Sequence, residues 1–182
     1  MSGRASLMAI SRRALHRAVV MGVTGCGKSS VGTALAPLIG AVYIDGDDLH
    51  PAANIAKMSA GIPLDDDDRA PWLAQVAETL RTTPGPVLVG CSALKRRYRD
   101  LIRDAAGRDV LFLHLVGRRE VIAKQVAKRK GHFMPPSLLD SQFAALEPLQ
   151  PDETGFTVDI EQPFEAVVVE AMQRLQGESG WA

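Results

Sequence analysis

A chain of 182 residues is long enough to bury one proper core and too short for two comfortable ones. Its 46% hydrophobic and 23% charged residues are ordinary for a soluble globular protein, and a formal net charge of zero excludes a global pull toward nucleic acid or anionic membrane. No apolar run reaches the roughly 18 residues of a membrane span, and the two cysteines, Cys26 and Cys91, match neither a metal-ligand spacing nor a C-x-x-C pair, so a reduced, cytoplasmic setting fits.

No acidic residue precedes Asp45, and Arg4, Arg12, Arg13 and Arg17 make the first segment basic. Transit peptides share that character weakly; the simpler reading of residues 1–17 is a flexible N-terminal extension, with a single domain over 18–182. Along that domain Ala18 to Met21, Ala41 to Ile44, Val87 to Val89, Val110 to Val116 and Phe156 to Ile160 read as strands, with helical patterns between them. Such alternation predicts an α/β fold: a parallel sheet of about five strands covered by helices on both faces. "KSSVGTALAPLIG" predicts a helix closed by Gly40, and "PWLAQVAETLRTT" one with Pro71 in its first turn that stops before Pro84. "ALKRRYRDLIRDAAG" places Leu94, Tyr98, Leu101 and Ile102 on one apolar face, with the arginines elsewhere and Gly107 at the end. "RKGHFMPP" combines Gly, Pro and basic residues and reads as a mobile lid over about 129–136.

"GVTGCGKSS" fits G-x-x-x-x-G-K-[ST], with Gly22, Gly27, Lys28 and Ser29 in the fixed places. A buried strand precedes it and a helix follows, which is the context a phosphate-binding loop needs. Glycines let successive N–H groups turn toward phosphate oxygens, and the helix N-terminus adds partial positive charge, so Gly22, Thr24, Gly25, Cys26, Gly27, Lys28, Ser29 and Ser30 are the candidate nucleotide-binding residues. Lys28 would reach the β- and γ-phosphates, and Ser29 would supply a ligand to Mg²⁺, so ATP or GTP with magnesium is implied. Cys26 is most simply a small residue of the loop.

Three classes then compete: a small-molecule kinase, a GTPase switch and a nucleotide-binding module without an acceptor. The N-K-x-D tetrad that reads guanine is absent, and "DAAG" at Asp104 to Gly107 ends a helical pattern instead of following a strand. A metal-organising carboxylate belongs at a strand end, where "AVYID" offers Asp45, so Ser29 and Asp45 are the candidate metal residues. Carboxyl ends of parallel strands line the ligand crevice, so "DGDDLHP" faces the same cleft. Asp47 could there orient an acceptor hydroxyl and take its proton; the alternative is an Asp-Gly surface turn, and Asp48 reads as solvated.

The blocks "DGDDLHP", "NIAKM", "DDDDRAPWL" and "CSALKRRYRD", with "RKGHF", closely resemble the gluconokinases of the P-loop, shikimate-kinase-like group, over nearly everything from Ala18 to about Gln173. The resemblance implies ATP-dependent phosphorylation of D-gluconate at its 6-hydroxyl, a five-stranded parallel sheet with a lid, and a homodimer, as family members often are. It assigns His50, Asn54, Arg69, Lys95 and Arg99 to the acceptor pocket with Asp47, since a sugar acid needs cationic and multidentate polar partners. Arg69 could instead pair with Asp65 to Asp68 on the surface, and Arg96, Arg97 and Arg103 read as a solvated face. Lys28, Asp47 and Arg129 are the implied catalytic residues, with Lys130 and His132 beside Arg129 on the lid. One departure stands out: Gln125 occupies the position, one turn before Arg129, where the family pattern has an arginine. An amide cannot offer a guanidinium face to the nucleotide, so weaker ATP binding is expected, with Lys124 or Lys128 as partial substitutes. A related kinase for another sugar acid or a shikimate-like acceptor, and an ATP-binding regulatory module without transfer, are the competing readings.

Overall fold

The computed structural model describes residues 16–107, 109–129, 136–178 and 181, so the predicted extension up to residue 15 lies outside the described residues. Arg17, assigned from sequence to that extension, already belongs to the first strand, β1 (Arg17–Met21), and its guanidinium donates to the Ala106 carbonyl at 2.6 Å. The strands β2 (Val42–Asp45), β3 (Val87–Gly90), β4 (Leu111–Val116) and β5 (Gly155–Asp159) each overlap their predicted runs. All pair in parallel, in the order β2-β3-β1-β4-β5. With β1 between β3 and β4, chain order reverses at the middle of the sheet, and a crevice opens there at the carboxyl ends of the strands.

Helices α1 (Lys28–Leu38), α2 (Ala52–Ser59), α3 (Asp66–Thr82) and α4 (Arg96–Ala106) precede β4. After it come α5 (Arg119–Lys128), α6 (Pro136–Ala145) and α7 (Phe164–Glu178). Period-two alternation along the strands builds two cores. Ala18, Val20, Leu88, Leu113 and Leu115 pack with Val31 and Leu35 of α1 and Val167, Ala171 and Leu175 of α7. On the opposite face Val19, Met21, Val87, Val89 and Phe112 pack with Trp72, Leu73 and Val76 of α3 and Tyr98 and Ile102 of α4. Among the described residues no helix is long and apolar enough to cross a membrane.

Two helices differ from their predicted form. α3 begins at Asp66, ahead of Pro71, because Asp65 and Asp68 form a capping box: Asp65 Oδ1 accepts from the Asp68 amide at 2.8 Å, and Asp68 Oδ2 from the Asp65 amide at 3.1 Å. Acids in the first turn also suit the positive end of the helix dipole, so the helix outweighs the one bond Pro71 cannot make to the carbonyl four residues back. On α4 the predicted apolar face is rotated: Leu101 is 50% exposed, while Arg99 is 0% exposed beside Tyr98 and Ile102. A charged residue holds a core position there because its guanidinium is bonded on every side, as described below.

His114 on β4 shares the face of Phe112, is 3% exposed, and its Nδ1 has no hydrogen-bond partner among the described residues. Desolvation first, then the charges of Arg99 and Lys28, push its pKa down to about 4. A base whose folded pKa lies below its unfolded value of about 6.5 contributes stability above that value and loses it as pH falls. The unfolded chain takes up a proton that the folded one refuses until about pH 4, so the loss reaches about 3 kcal/mol between those limits. Urea unfolding between pH 7 and pH 4 should therefore show wild type losing more stability than His114→Leu by roughly that amount; parallel curves would clear His114 of the effect.

Candidate active site

The loop between β1 and α1 takes its shape from glycine. Gly25 (φ 85°) and Gly27 (φ 101°) are left-handed, and Gly27 caps α1 with no side chain over the helix amides. Space restricts Gly25 as well: a β-carbon there would lie 2.3 Å from Val126 Cγ2 of α5. The free amides at the head of α1 line a concavity suited to an anion. Lys28 folds over this loop, its Nζ donating to the carbonyls of Gly22 at 3.0 Å and Val23 at 3.1 Å. Cys26 is buried, and burial pushes its thiol pKa up, with Lys28 a smaller opposing influence, so it sits there as a small neutral residue. Ser30 is exposed on α1.

Thr24 is held from a direction the sequence does not announce. Its amide donates to Gln142 Oε1 of α6 at 2.6 Å, and Gln142 Nε2 donates to its hydroxyl at 2.8 Å. The partners lie 118 positions apart, so no local spacing could have flagged Gln142.

The acid pair after β2 joins this loop. Ser29 Oγ donates to Asp45 Oδ2 at 2.7 Å, while Asp45 Oδ1 accepts from the Asp47 amide at 3.0 Å in the 3₁₀ turn Gly46–Leu49. Trp72 on α3 fixes the same turn through Nε1, which donates to the Gly46 carbonyl at 2.7 Å. Asp47 is exposed on this turn. Desolvation first, then the Asp45 charge, raise its pKa above the ordinary carboxylate value, and Lys28 and His50 partly offset them.

His50 stacks on Trp72, with ring centroids 4.2 Å apart and planes 14° from parallel. Asn54 is 3% exposed, and its Nδ2 donates to the Asp68 carbonyl at 2.9 Å and approaches His50 Nδ1 at 3.3 Å. Since the carbonyl fixes which end of the amide is the donor, His50 Nδ1 accepts and Nε2 carries the proton. Desolvation lowers the His50 pKa, against the pull of Asp47, which keeps the ring neutral. Asn54, expected among the acceptor ligands, thus spends its donors inside the protein and acts by fixing His50.

Cations gather around Tyr98: the guanidinium carbons of Arg69 and Arg97 lie 5.9 and 5.6 Å from the ring centroid, and Lys95 Nζ 5.4 Å. Arg97, read from sequence as solvated, belongs to this group. Asp66 ties the group together, accepting from Lys95 at 3.3 Å and from Arg97 and the Tyr98 hydroxyl. Asp68 pairs with Lys57 at 2.7 Å. The acidic run is thereby matched to Lys57, Lys95 and Arg97, and Arg69 is left over the ring.

Arg99 corrects its predicted place in the acceptor pocket. Its side chain and that of Glu153 are both fully buried, joined by Nε to Oε2 at 2.7 Å and Nη2 to Oε1 at 2.8 Å. Its remaining donors go to the carbonyls of Ala93, Leu94 and Pro148. No hydrogen is free for a substrate.

Arg129 is exposed at the C-cap of α5, near enough to Cys26 for its charge to lower the thiol pKa slightly. Lys130, His132 and the predicted lid between Arg129 and Pro136 lie outside the described residues. Gln125 is half-buried on α5, the helix whose Ile122 and Val126 pack against Gly25 of the phosphate loop.

No family model matches the chain. The thermoresistant gluconokinase of Escherichia coli K12 is 43% identical to it over 162 residues, spanning 87% of this chain and 92% of that protein. The crystal structure of a gluconokinase from Sinorhizobium meliloti 1021 superposes with a TM-score of 0.84 at 47% identity, over 92% of this chain and 96% of that one. A shikimate kinase from Bacteroides thetaiotaomicron shares the fold at a TM-score of 0.62 and 16% identity, over 88% of this chain and 98% of that one. A phosphate loop on a five-stranded parallel sheet, together with this identity across most of both chains, makes the protein a P-loop kinase and a member of the gluconokinase family.

Proposed function

We propose that the enzyme transfers the γ-phosphoryl group of ATP to the 6-hydroxyl of D-gluconate, giving 6-phospho-D-gluconate. The Asp45 carboxylate carries this reading: one oxygen takes the phosphate-loop hydroxyl of Ser29, the other the amide of Asp47, so triphosphate and acceptor sites share one rim. Gly22, Thr24, Gly25, Cys26, Gly27, Lys28, Ser29 and Ser30 are the segment that cradles the triphosphate, and Lys28 exchanges two carbonyls for phosphate oxygens.

Ser29 and Asp45 are hard oxygen donors already converged to 2.7 Å, a set that fits Mg²⁺, which takes one or two carboxylates and keeps several waters. Among the described residues no group of three or more His, Cys, Asp or Glu is arranged as a metal cage, and this ion needs none. Held by Ser29 and Asp45, the ion would supply neutralising positive charge to the triphosphate.

Asp47 accepts the hydrogen bond of the attacking hydroxyl and takes its proton; a raised pKa makes its carboxylate a better base than an unperturbed one. Neutral His50 presents Nε2–H to a substrate hydroxyl, a polarity set by Asn54. Arg69, Lys95 and Arg97 grip the sugar carboxylate: Lys95 and Arg97 share the single carboxylate of Asp66 and Arg69 lies over the Tyr98 ring, which leaves a positive surplus for an acidic substrate. Arg129 balances charge on the transferring phosphoryl group from the edge of α5.

Incubation with Mg·ATP and gluconate, read by phosphorus NMR, should yield ADP and a 6-phosphate ester. Glucose, which lacks the carboxylate, should react poorly; equal rates would remove the cationic group from acceptor recognition. Asp47→Asn should lower kcat by roughly 10² to 10⁴, with the KM for ATP little changed; unaltered turnover would exclude Asp47 as the base. Gln125→Arg should lower the KM for ATP about tenfold by adding a guanidinium beside the phosphate loop; an unchanged value would show that this position does not meet the nucleotide.

A further inference from the structure

The buried Arg99–Glu153 pair is an expensive way to fill a core, since apolar residues of similar volume generally do at least as well for stability. What it offers is a fixed fan of donors. Two of these converge on consecutive carbonyls, Nη1 lying 3.1 Å from Ala93 O and 3.2 Å from Leu94 O. Ala93 is the one non-glycine residue with positive φ among the described residues, at 44°, a conformation that a β-carbon disfavours. Ala93 lies midway between the two halves of the site. The carbonyl before it, Ser92 O, accepts from the amide of Gly22 in the phosphate loop at 3.3 Å, and two residues after it Lys95 opens α4 beside Asp66 and Tyr98. Leu94 O also accepts from the Glu147 amide at 2.8 Å, so the turn is tied on the side away from the cleft as well.

We propose that Arg99, oriented by Glu153, is a positioning residue for the acceptor site: it holds the Ser92–Ala93–Leu94 turn in its left-handed shape and thereby aims Lys95 at the substrate carboxylate. The inference rests on the acceptor reading above, which places Lys95 in contact with the sugar acid. Lysine cannot reproduce the fork, because one ammonium cannot serve Glu153 and two carbonyls in the same geometry. In Arg99→Lys the turn relaxes out of the left-handed region, and Lys95 moves with it.

Steady-state kinetics with both substrates varied test this. Arg99→Lys should raise the KM for gluconate about tenfold, the scale of one misplaced charge-assisted contact, with a much smaller change in the KM for ATP. Adding Ala93→Gly to that variant should bring the gluconate KM back toward wild type, since glycine holds positive φ without the contact to Arg99. Recovery of the gluconate KM without restoration of the Arg99 fork is the signature of positioning. A gluconate KM unmoved by Arg99→Lys, with only Tm lowered, would overturn the proposal, as would failure of Ala93→Gly to restore it. Should Arg99→Lys not fold, Glu153→Gln, which frees the fork while keeping its shape, carries the same pair of readouts. Wild-type enzyme inert toward gluconate would overturn the acceptor assignment and this proposal with it; an active wild type with insensitive variants would overturn the proposal alone.

Discussion

The hydrogen bond from Ser29 to Asp45 is the constraint on which the site's geometry turns. β1 and β2 are not neighbours in the sheet; β3 lies between them. A side-chain contact across that gap, 2.7 Å long, joins the head of α1 to the tip of β2 and leaves the second oxygen of Asp45 to seat Asp47. Parallel pairing makes this possible, because all five strands deliver their carboxyl ends to one edge. Had β1 and β2 run in opposite directions, the phosphate loop and the acid pair would stand at opposite ends of the sheet.

Rigidity on the acceptor side comes from apolar contacts that end in polar ones. Trp72 is a core residue of α3, yet its indole N–H holds the Gly46 carbonyl and its face carries His50. Burial of the ring therefore sets where the acid turn and the imidazole lie, and Asn54 sets which imidazole nitrogen bears the proton. The capping box of Asp65 and Asp68 works on the same helix: it starts α3 early enough to bring Asp66 within reach of Lys95, Arg97 and Tyr98.

Features written in contiguous residues were legible in the sequence. Buried parallel strands are short apolar runs, and the phosphate loop is a fixed local pattern whose flanks can be checked, so sheet, loop and the Asp45–Asp47 turn could all be read. Features that depend on a distant partner were not. Arg99 carries the same charge as its neighbours on α4, and only Glu153, far along the chain, turns it from a solvated residue into a core one. Gln142 belongs to the phosphate loop through a side chain from α6, again with no local mark. The start of α3 was misplaced for a related reason: an acidic run looks like a solvated surface unless the reciprocal bonds of a cap are seen, and Pro71 then becomes the nearest plausible start.

Charge buried beneath the site also links its geometry to the stability of the sheet. Glu153 answers the charge of Arg99, and Arg103 Nη1 lies 3.6 Å from the same carboxylate. His114 Nδ1 has no partner among the described residues, and burial first, then the Arg99 charge, depresses its pKa. The unfolded chain takes up that proton from about pH 6.5 downward while the folded imidazole stays neutral until about pH 4, so mild acid weakens this face of the sheet before it reaches the ordinary range of the surface carboxylates. The face of the sheet that shapes the acceptor side is thus also its acid-sensitive face.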